Sequence, residues 1–203
     1  MIRNIVFDIG NVLVTWDSLA IVQAAFGLEG DTAAERRRAL FVTTDIWLAL
    51  NRGEMSVEDT KRAYMAEGLM DADEAERFFV AVYDSFAPIA GTEALMRRLK
   101  DAGFRLFALT DNVHEIVAHL KDTHRFWPLF EGATVSAEVG LLKPDPLIYR
   151  HLLDSHDLEA EETVFFDDIP RNVEGARDAG IQAFLFTTAE QAEADLASLG
   201  IAV

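Results

Sequence analysis

The 203 residues include no cysteine. That excludes a disulfide framework and a thiol nucleophile, and gives no sign of an oxidising compartment. Cations are scarce: 18 Lys and Arg stand against 35 Asp and Glu, a formal net charge of −17. A surface so acidic repels nucleic acid and anionic membranes, so neither is an expected partner. An anionic substrate must then be attracted locally, by a metal and a few placed cations. No apolar run approaches the roughly 20 residues that span a bilayer. The first apolar run starts at about Ile2 and leaves no room for a targeting segment, so the expectation is a soluble, cytoplasmic protein. No low-complexity tract or solenoid period is present. Half of the residues are hydrophobic, which suffices for a sizeable core in one or two domains.

Along the chain, residues 1–10 read as a buried strand ending in Asp8-Ile9-Gly10. From about Trp16 to Phe86 the pattern is helical. Ser56-Val57-Glu58-Asp59 has the form of a capping box for a helix running to about Gly68. Ala75, Phe78, Phe79, Val82 and Phe86 repeat at helical spacing as one apolar face. After Pro88 helix and strand alternate: a helix with Leu95, Met96 and Leu99 is stopped by Gly103, and Phe104–Leu109 reads as a strand. Asp178-Ala179-Gly180 repeats that helix stop before a strand at Ile181–Phe186, because glycine suits the left-handed turn in both connections. Asp145 is placed to cap a helix with Pro146 in its first turn and Leu147, Ile148, Leu152 and Leu153 on its buried side. Such a strand, helical insertion and βα series predicts an α/β fold with a parallel sheet between helices. The expected core is 1–15 with 88–203, and the expected helical cap, a lid over the sheet, is 16–87.

Four polar elements each follow an apolar run: Asp8 after Ile5–Phe7, Thr110 after Leu106–Leu109, Lys143 after Leu141-Leu142, and Asp167-Asp168 after Val164–Phe166. If these runs are parallel strands, their C-terminal ends share one sheet edge, where α/β proteins bind ligands. Asp8 is then a candidate nucleophile toward phosphorus, and Gly10 permits a tight turn whose carbonyl can ligate a cation. The acid pair suits Mg²⁺, with one carboxylate binding directly and its neighbour through water. Lys143 can neutralise a phosphoryl oxygen and Asp8 together, and Thr110 offers a hydroxyl and an N–H. Taken singly, each has a bland reading: a turn cap, helix-start acids, a solvated lysine, a strand-end threonine. Their joint occurrence in this order is what points to phosphoryl transfer through an aspartyl-phosphate.

The segments 7–14 (FDIGNVLV), 140–149 (GLLKPDPLIY) and 164–176 (VFFDDIPRNVEGA) resemble the haloacid dehalogenase superfamily, in its helical-cap branch. They look closest to bacterial sugar-phosphate phosphatases of the α-glucose-1-phosphate type. The resemblance covers essentially the whole chain and implies a Rossmann-like core with a four-helix cap. It implies Asp8 as nucleophile, with Asp8, the Gly10 carbonyl and Asp168 as Mg²⁺ ligands and Asp167 in support. Thr110, Lys143, and Asp111 or Asn112 would meet the phosphorylated substrate, a small metabolite. Two departures stand out. The second Asp that most phosphatases of the superfamily use as general acid is Gly10 here, and Asp17 and Asp111, though near in sequence, read as structural. Asp111 also replaces the usual Asn, an extra carboxylate beside phosphate unless it is turned away or paired.

The leading expectation is a Mg²⁺-dependent phosphomonoester hydrolase, with a sugar phosphate as substrate. Trp16, Trp47, Arg52 and Tyr64 are candidate cap contacts, each more often packing than recognition. A 2-haloacid dehalogenase is the second reading; it needs no metal and leaves the acid pair without a role. A phospho-acceptor signalling domain would carry its acid pair after the first strand, not a late one. A degenerate phosphate-binding member rests only on Gly10 and Asp111.

Overall fold

The computed structural model describes residues 1–203. The apolar runs form a five-stranded, all-parallel sheet in the order β3-β2-β1-β4-β5. Its strands are β1 (Asn4–Phe7), β2 (Arg105–Thr110), β3 (Gly132–Val135), β4 (Thr163–Asp167) and β5 (Gln182–Leu185). β1 is central, with Phe7 in register with Ala108 on one side and Phe166 on the other. The chain builds outward to β3, then crosses back to β4. Asp8 therefore lies at the point where the strand order reverses, the crevice in which open parallel sheets hold ligands.

Burial on both faces explains why these strands are near-continuous apolar runs. Ile5, Phe7, Leu106, Ala108, Val164 and Phe166 enter one core cluster, while Val6, Phe107, Leu109 and Phe165 enter the other. The first face is covered by α6 (Thr92–Asp101), α7 (His114–Thr123) and α11 (Ala189–Ser198), and the second by α9 (Pro146–His156) and α10 (Pro170–Asp178). Asp145 caps α9 by accepting from the Leu147 N–H, and Pro170 occupies the first turn of α10. Gly103 and Gly180, with φ of 90° and 85°, make the two left-handed helix stops.

Between β1 and β2 stand α1 (Ser18–Phe26), α2 (Gly30–Arg38), α3 (Ile46–Asn51), α4 (Val57–Ala66) and α5 (Ala72–Asp84). That makes five helical segments rather than four, since a π turn at Ala39–Thr43 separates α2 from the short α3. The Ser56/Asp59 capping box is formed, and α5 buries Ala75, Phe78, Phe79 and Val82. The segments entering and leaving this insertion pair with one another: Thr15 N–H donates to Ala87 O, and Ile89 N–H to Leu13 O. Gly53 (φ 72°) presses against α8 (Ser136–Val139), where an added Cβ would clash with Ala137 O. No helix is long and apolar enough to cross a membrane.

Two local expectations are corrected. The pair Leu141-Leu142 is not a strand; Lys143 is carried by a loop after α8, and the strand on that side is β3. β3 escapes a periodicity argument because it is four residues, Gly-Ala-Thr-Val, and only half-buried at its start. Leu147 points outward at 51 % exposure, because the cap at Asp145 sets the rotation of α9 and turns Ile148, Tyr149 and Leu152 inward.

Candidate active site

Asp8 continues the central ladder by donating its N–H to Phe166 O at 2.9 Å. The residue is only 7 % exposed. Oδ1 accepts from the Ile9 N–H at 2.7 Å and lies 2.9 Å from Lys143 Nζ. The chain then turns through Gly10 and Asn11, and the left-handed residue is Asn11 (φ 53°), not Gly10. Asparagine tolerates that region because its short amide bonds locally. Asn11 Oδ1 accepts from Trp16 N–H at 2.9 Å, and its Nδ2 donates to Asp168 Oδ2 at 3.0 Å.

Lys143 is buried, and its ammonium protons have three nearby acceptors: Asp8 Oδ1 at 2.9 Å, Asp167 Oδ2 at 2.7 Å and Leu109 O at 3.1 Å. An ammonium has three protons, so this lysine clamps two carboxylates to a strand end. Asp167 is fully buried; it also accepts from Asn172 Nδ2 at 3.0 and 3.2 Å and from Ile169 N–H at 2.8 Å. Asp168 is half-buried, with Asn11 as its side-chain partner. Oxygens of Asp8, Asp167 and Asp168 lie within 4.8 Å of one another.

Thr110 ends β2, buried on the cavity wall. Asp111 is paired: its Oδ1 accepts from the backbone N–H of Lys143 at 3.0 Å. Asn112 is partly spent on the fold, its Oδ1 accepting from Val113 N–H at 2.9 Å. Ser136, fully buried, accepts from Asn112 N–H at 2.8 Å and donates toward Asn51 O at 2.6 Å. It thereby ties the end of β2 to α3 of the insertion. Asp17 is structural; it caps α1, accepting from Leu19 and Ala20 N–H at 2.8 and 3.1 Å.

Asp8, Thr110, Asp111, Asn112, Lys143 and Asp168 line a cavity of about 240 Å³ together with Trp16, Trp47, Leu48 and Phe86. A larger hollow of about 590 Å³ between α1 and α5 lies apart from this chemistry. Of the four cap candidates, Trp16 and Trp47 reach the cavity. Arg52 is exposed elsewhere, and Tyr64 is fully buried with its hydroxyl donating to Leu40 O at 2.7 Å. Burial drives the Asp8 carboxyl up to about 7, against the pull of Lys143. Burial likewise raises Asp111 and Asp168 above the usual carboxylate range. Burial alone would depress Lys143, but Asp8, Asp167 and Asp111 overcome it and hold the ammonium firmly charged. The donor set fits a small divalent cation: three carboxylates cluster around one buried ammonium that bonds only two of them, leaving excess negative charge and oxygen ligands.

The haloacid dehalogenase-like hydrolase family matches residues 2–180. The chain belongs to that family. It is a hydrolase. Among curated relatives, the sesquiterpene phosphatase astK of Aspergillus oryzae is 27 % identical over 176 residues, covering 87 % of this chain and 85 % of the relative. Among solved structures, a family enzyme of Bacteroides thetaiotaomicron in complex with magnesium and inorganic phosphate superposes with a TM-score of 0.77 at 19 % identity, covering 93 % and 96 % of the two chains. The L-2-haloacid dehalogenase of Xanthobacter autotrophicus gives 0.68 at 18 % identity, over 100 % and 85 %. At such identities the likeness shows the fold alone, and a dehalogenase and a magnesium–phosphate complex share it.

Three residues that hold this hydrolase's site escape a motif reading: Asn11, Asn172 and Ser136. The signal for Asn11 was its place after Asp-x-Gly, and for Asn172 its place one turn into the helix after the acid pair. Ser136 had none, since its partners are distant in sequence. Gly10 also reads differently once folded. Its φ is not left-handed, and an added Cβ would meet Trp16 Cβ at an ordinary 3.5 Å. Gly10→Asp is therefore expected to fold. If an acid is missing there, kcat on esters of poorly acidic alcohols should rise by about 10²-fold. Phosphate release across leaving groups of graded acidity tests this, and an unchanged dependence on leaving group would refute it.

Proposed function

We propose that the protein is a Mg²⁺-dependent phosphomonoester hydrolase acting on a small phosphorylated metabolite. The observation that carries this reading is the convergence of Asp8, Asp167 and Asp168 within 4.8 Å, with Lys143 2.9 Å from Asp8, and with Asp8, Asp168 and Lys143 lining one cavity. Asp8, the Gly10 carbonyl and Asp168 would hold the metal, with Asp167 held back by Lys143 and Asn172 as a supporting charge. When bound, the cation offsets charge on the phosphoryl oxygens. Asp8 attacks phosphorus in line: an Oδ–P bond forms, the P–O bond to the alcohol breaks, and the alkoxide takes a proton from solvent water. Water then cleaves the aspartyl-phosphate, releasing phosphate and restoring the carboxylate. Thr110 and Asn112, on the cavity wall, orient the phosphoryl group. Lys143 keeps Asp8 ionised and aimed, a positioning role, because its protons already have acceptors.

Two competing readings lose support. A haloacid is an anion, and three clustered carboxylates would repel it unless a cation sat among them. A degenerate binder drew on Gly10 and Asp111, and Asp111 is now paired with the Lys143 N–H.

The test is phosphate release from a panel of phosphorylated metabolites, with Mg²⁺ and with chelator. Release that chelator abolishes is expected. Asp168→Ala should weaken Mg²⁺ activation at least about tenfold, whereas Asp17→Ala should lower stability by about 1 kcal/mol through its lost cap and leave Mg²⁺ activation in place. Equal Mg²⁺ dependence in the two variants would remove Asp168 from the metal. Because a carboxylate must shed its proton to bind metal, and burial raises Asp8 and Asp168, Mg²⁺ activation should weaken as pH falls below about 7.

A further inference from the structure

The cavity that Asp8 and Asp168 line also has an apolar wall. Trp16 stacks with Trp47 (centroids 5.7 Å apart, planes 22°) and with Phe86 (5.8 Å, 16°), giving an aromatic slab in the wall. Two of the chain's few exposed large hydrophobic residues, Leu48 (39 %) and Ile169 (37 %), line this same cavity, one from the insertion and one from the core. Beside the slab, Asn51 Nδ2 donates to Trp47 O at 2.8 Å and both ends of Asn11 are bonded, while Arg171 lines the same cavity and is left to meet the phosphoryl end of a substrate. A polyhydroxylated leaving group would leave hydroxyls unpaired against such a wall, and each such loss is costly. An apolar group would bury the rings and both aliphatic side chains, which is favourable in proportion to the area removed from water.

Resting on the phosphatase reading, we propose that the substrate is the phosphomonoester of an apolar alcohol, its hydrocarbon part seated between the Trp16/Trp47 wall and the Leu48–Ile169 rim. The cavity, at about 240 Å³, lies below the usual range of ligand pockets. A compact hydrocarbon fits within it, and a longer one continues outward over the two exposed aliphatic side chains. The sugar phosphate expected from the sequence resemblance is the class this wall disfavours.

The experiment measures kcat/KM of the Mg²⁺-loaded enzyme for n-alkyl phosphates from ethyl to octyl, beside glycerol phosphate and a hexose phosphate. Leaving-group acidity is nearly constant along the alkyl series, so chain-length dependence reports contact. A rise of up to about fourfold per methylene is expected until the cavity fills, as is preference for octyl phosphate over both polyol esters. Leu48→Gln should lower the octyl-to-ethyl ratio about tenfold. In parallel, tryptophan emission of Asp8→Asn is titrated with octyl- and ethylphosphonate, and tighter binding of the octyl compound is expected. Tighter octyl binding with no hydrolysis of any ester would overturn the phosphatase reading and leave the apolar subsite standing. Hydrolysis indifferent to chain length, preference for a polyol ester, or phosphonate binding indifferent to chain length would overturn the subsite.

Discussion

Asp8→Asn is expected to lower phosphate release by at least about 10⁴-fold, the scale on which removal of a covalent nucleophile acts. The fold should persist and even gain. Folding raises the Asp8 carboxyl to about 7, chiefly through burial, from an ordinary unfolded value near 4. Between those two values the folded state holds a proton that the unfolded chain has shed, so stability falls as pH rises through that window. Asparagine removes this penalty, and Lys143 keeps Asp167 as its partner at 2.7 Å. Metal-free Asp8→Asn should therefore melt above the wild type at pH 8, with the gap closing toward pH 4. Thermal melts across pH check this beside the activity assay. A variant that hydrolyses within tenfold of wild type would remove Asp8 as nucleophile. One that melts lower at pH 8 would mean that the contact with Lys143 outweighs the cost of burying the charge.

Lys143→Met has the opposite signature: activity and stability fall together. Methionine fills most of the lysine's volume, so the loss is electrostatic. The substitution strands Asp8 and Asp167 without their shared cation, and Leu109 O loses its donor. Removing one partner of a buried ion pair costs about 3–5 kcal/mol. Here two carboxylates are left, so the upper end of that range is expected in metal-free protein. Mg²⁺ should recover part of it, since a ligand that binds only the folded state stabilises by mass action. Denaturant melts with and without Mg²⁺ measure this. A loss under about 1 kcal/mol would show that the lysine's contacts with the two acids contribute little to the fold. Exchanging the lysine for arginine should not rescue, because a planar guanidinium cannot aim three protons at three acceptors around one point.

Both predictions rest on the same arrangement, which trades stability for reactivity. Acids that repel one another are held together by one ammonium and two amides, Asn11 and Asn172. A carboxylate left partly free of donors is the more nucleophilic, and that freedom is what burial penalises. The apolar wall adds to the effect, because excluding water strengthens every charge–charge interaction in the cavity.

Much of this was legible in the chain. The runs before Asp8, Thr110 and Asp167 are strands because a strand covered on both faces must be apolar throughout, and that signature is local. The Ser56/Asp59 box and the stops at Gly103 and Gly180 were readable for the same reason: caps bond within four or five residues of themselves. Where the sequence erred, the deciding contact was remote or the element too short. Leu141-Leu142 passed for a strand because two leucines carry no period, while β3 is held by its register with β2 rather than by its composition. The tight turn expected at Gly10 has its left-handed residue one position later, at Asn11.

The order of chemical groups, the parallel sheet and the acidic charge balance follow from the sequence by itself, since each depends on residue type and short-range pattern. Only the tertiary structure decided what those groups do to one another. It turned Asp111 onto the Lys143 N–H and set the Lys143 ammonium between Asp8 and Asp167. It also drew Trp16 and Trp47 to the cavity while burying Tyr64 under Leu40. Those outcomes depend on distances between residues tens of positions apart, which packing sets to within an ångström and no local pattern encodes.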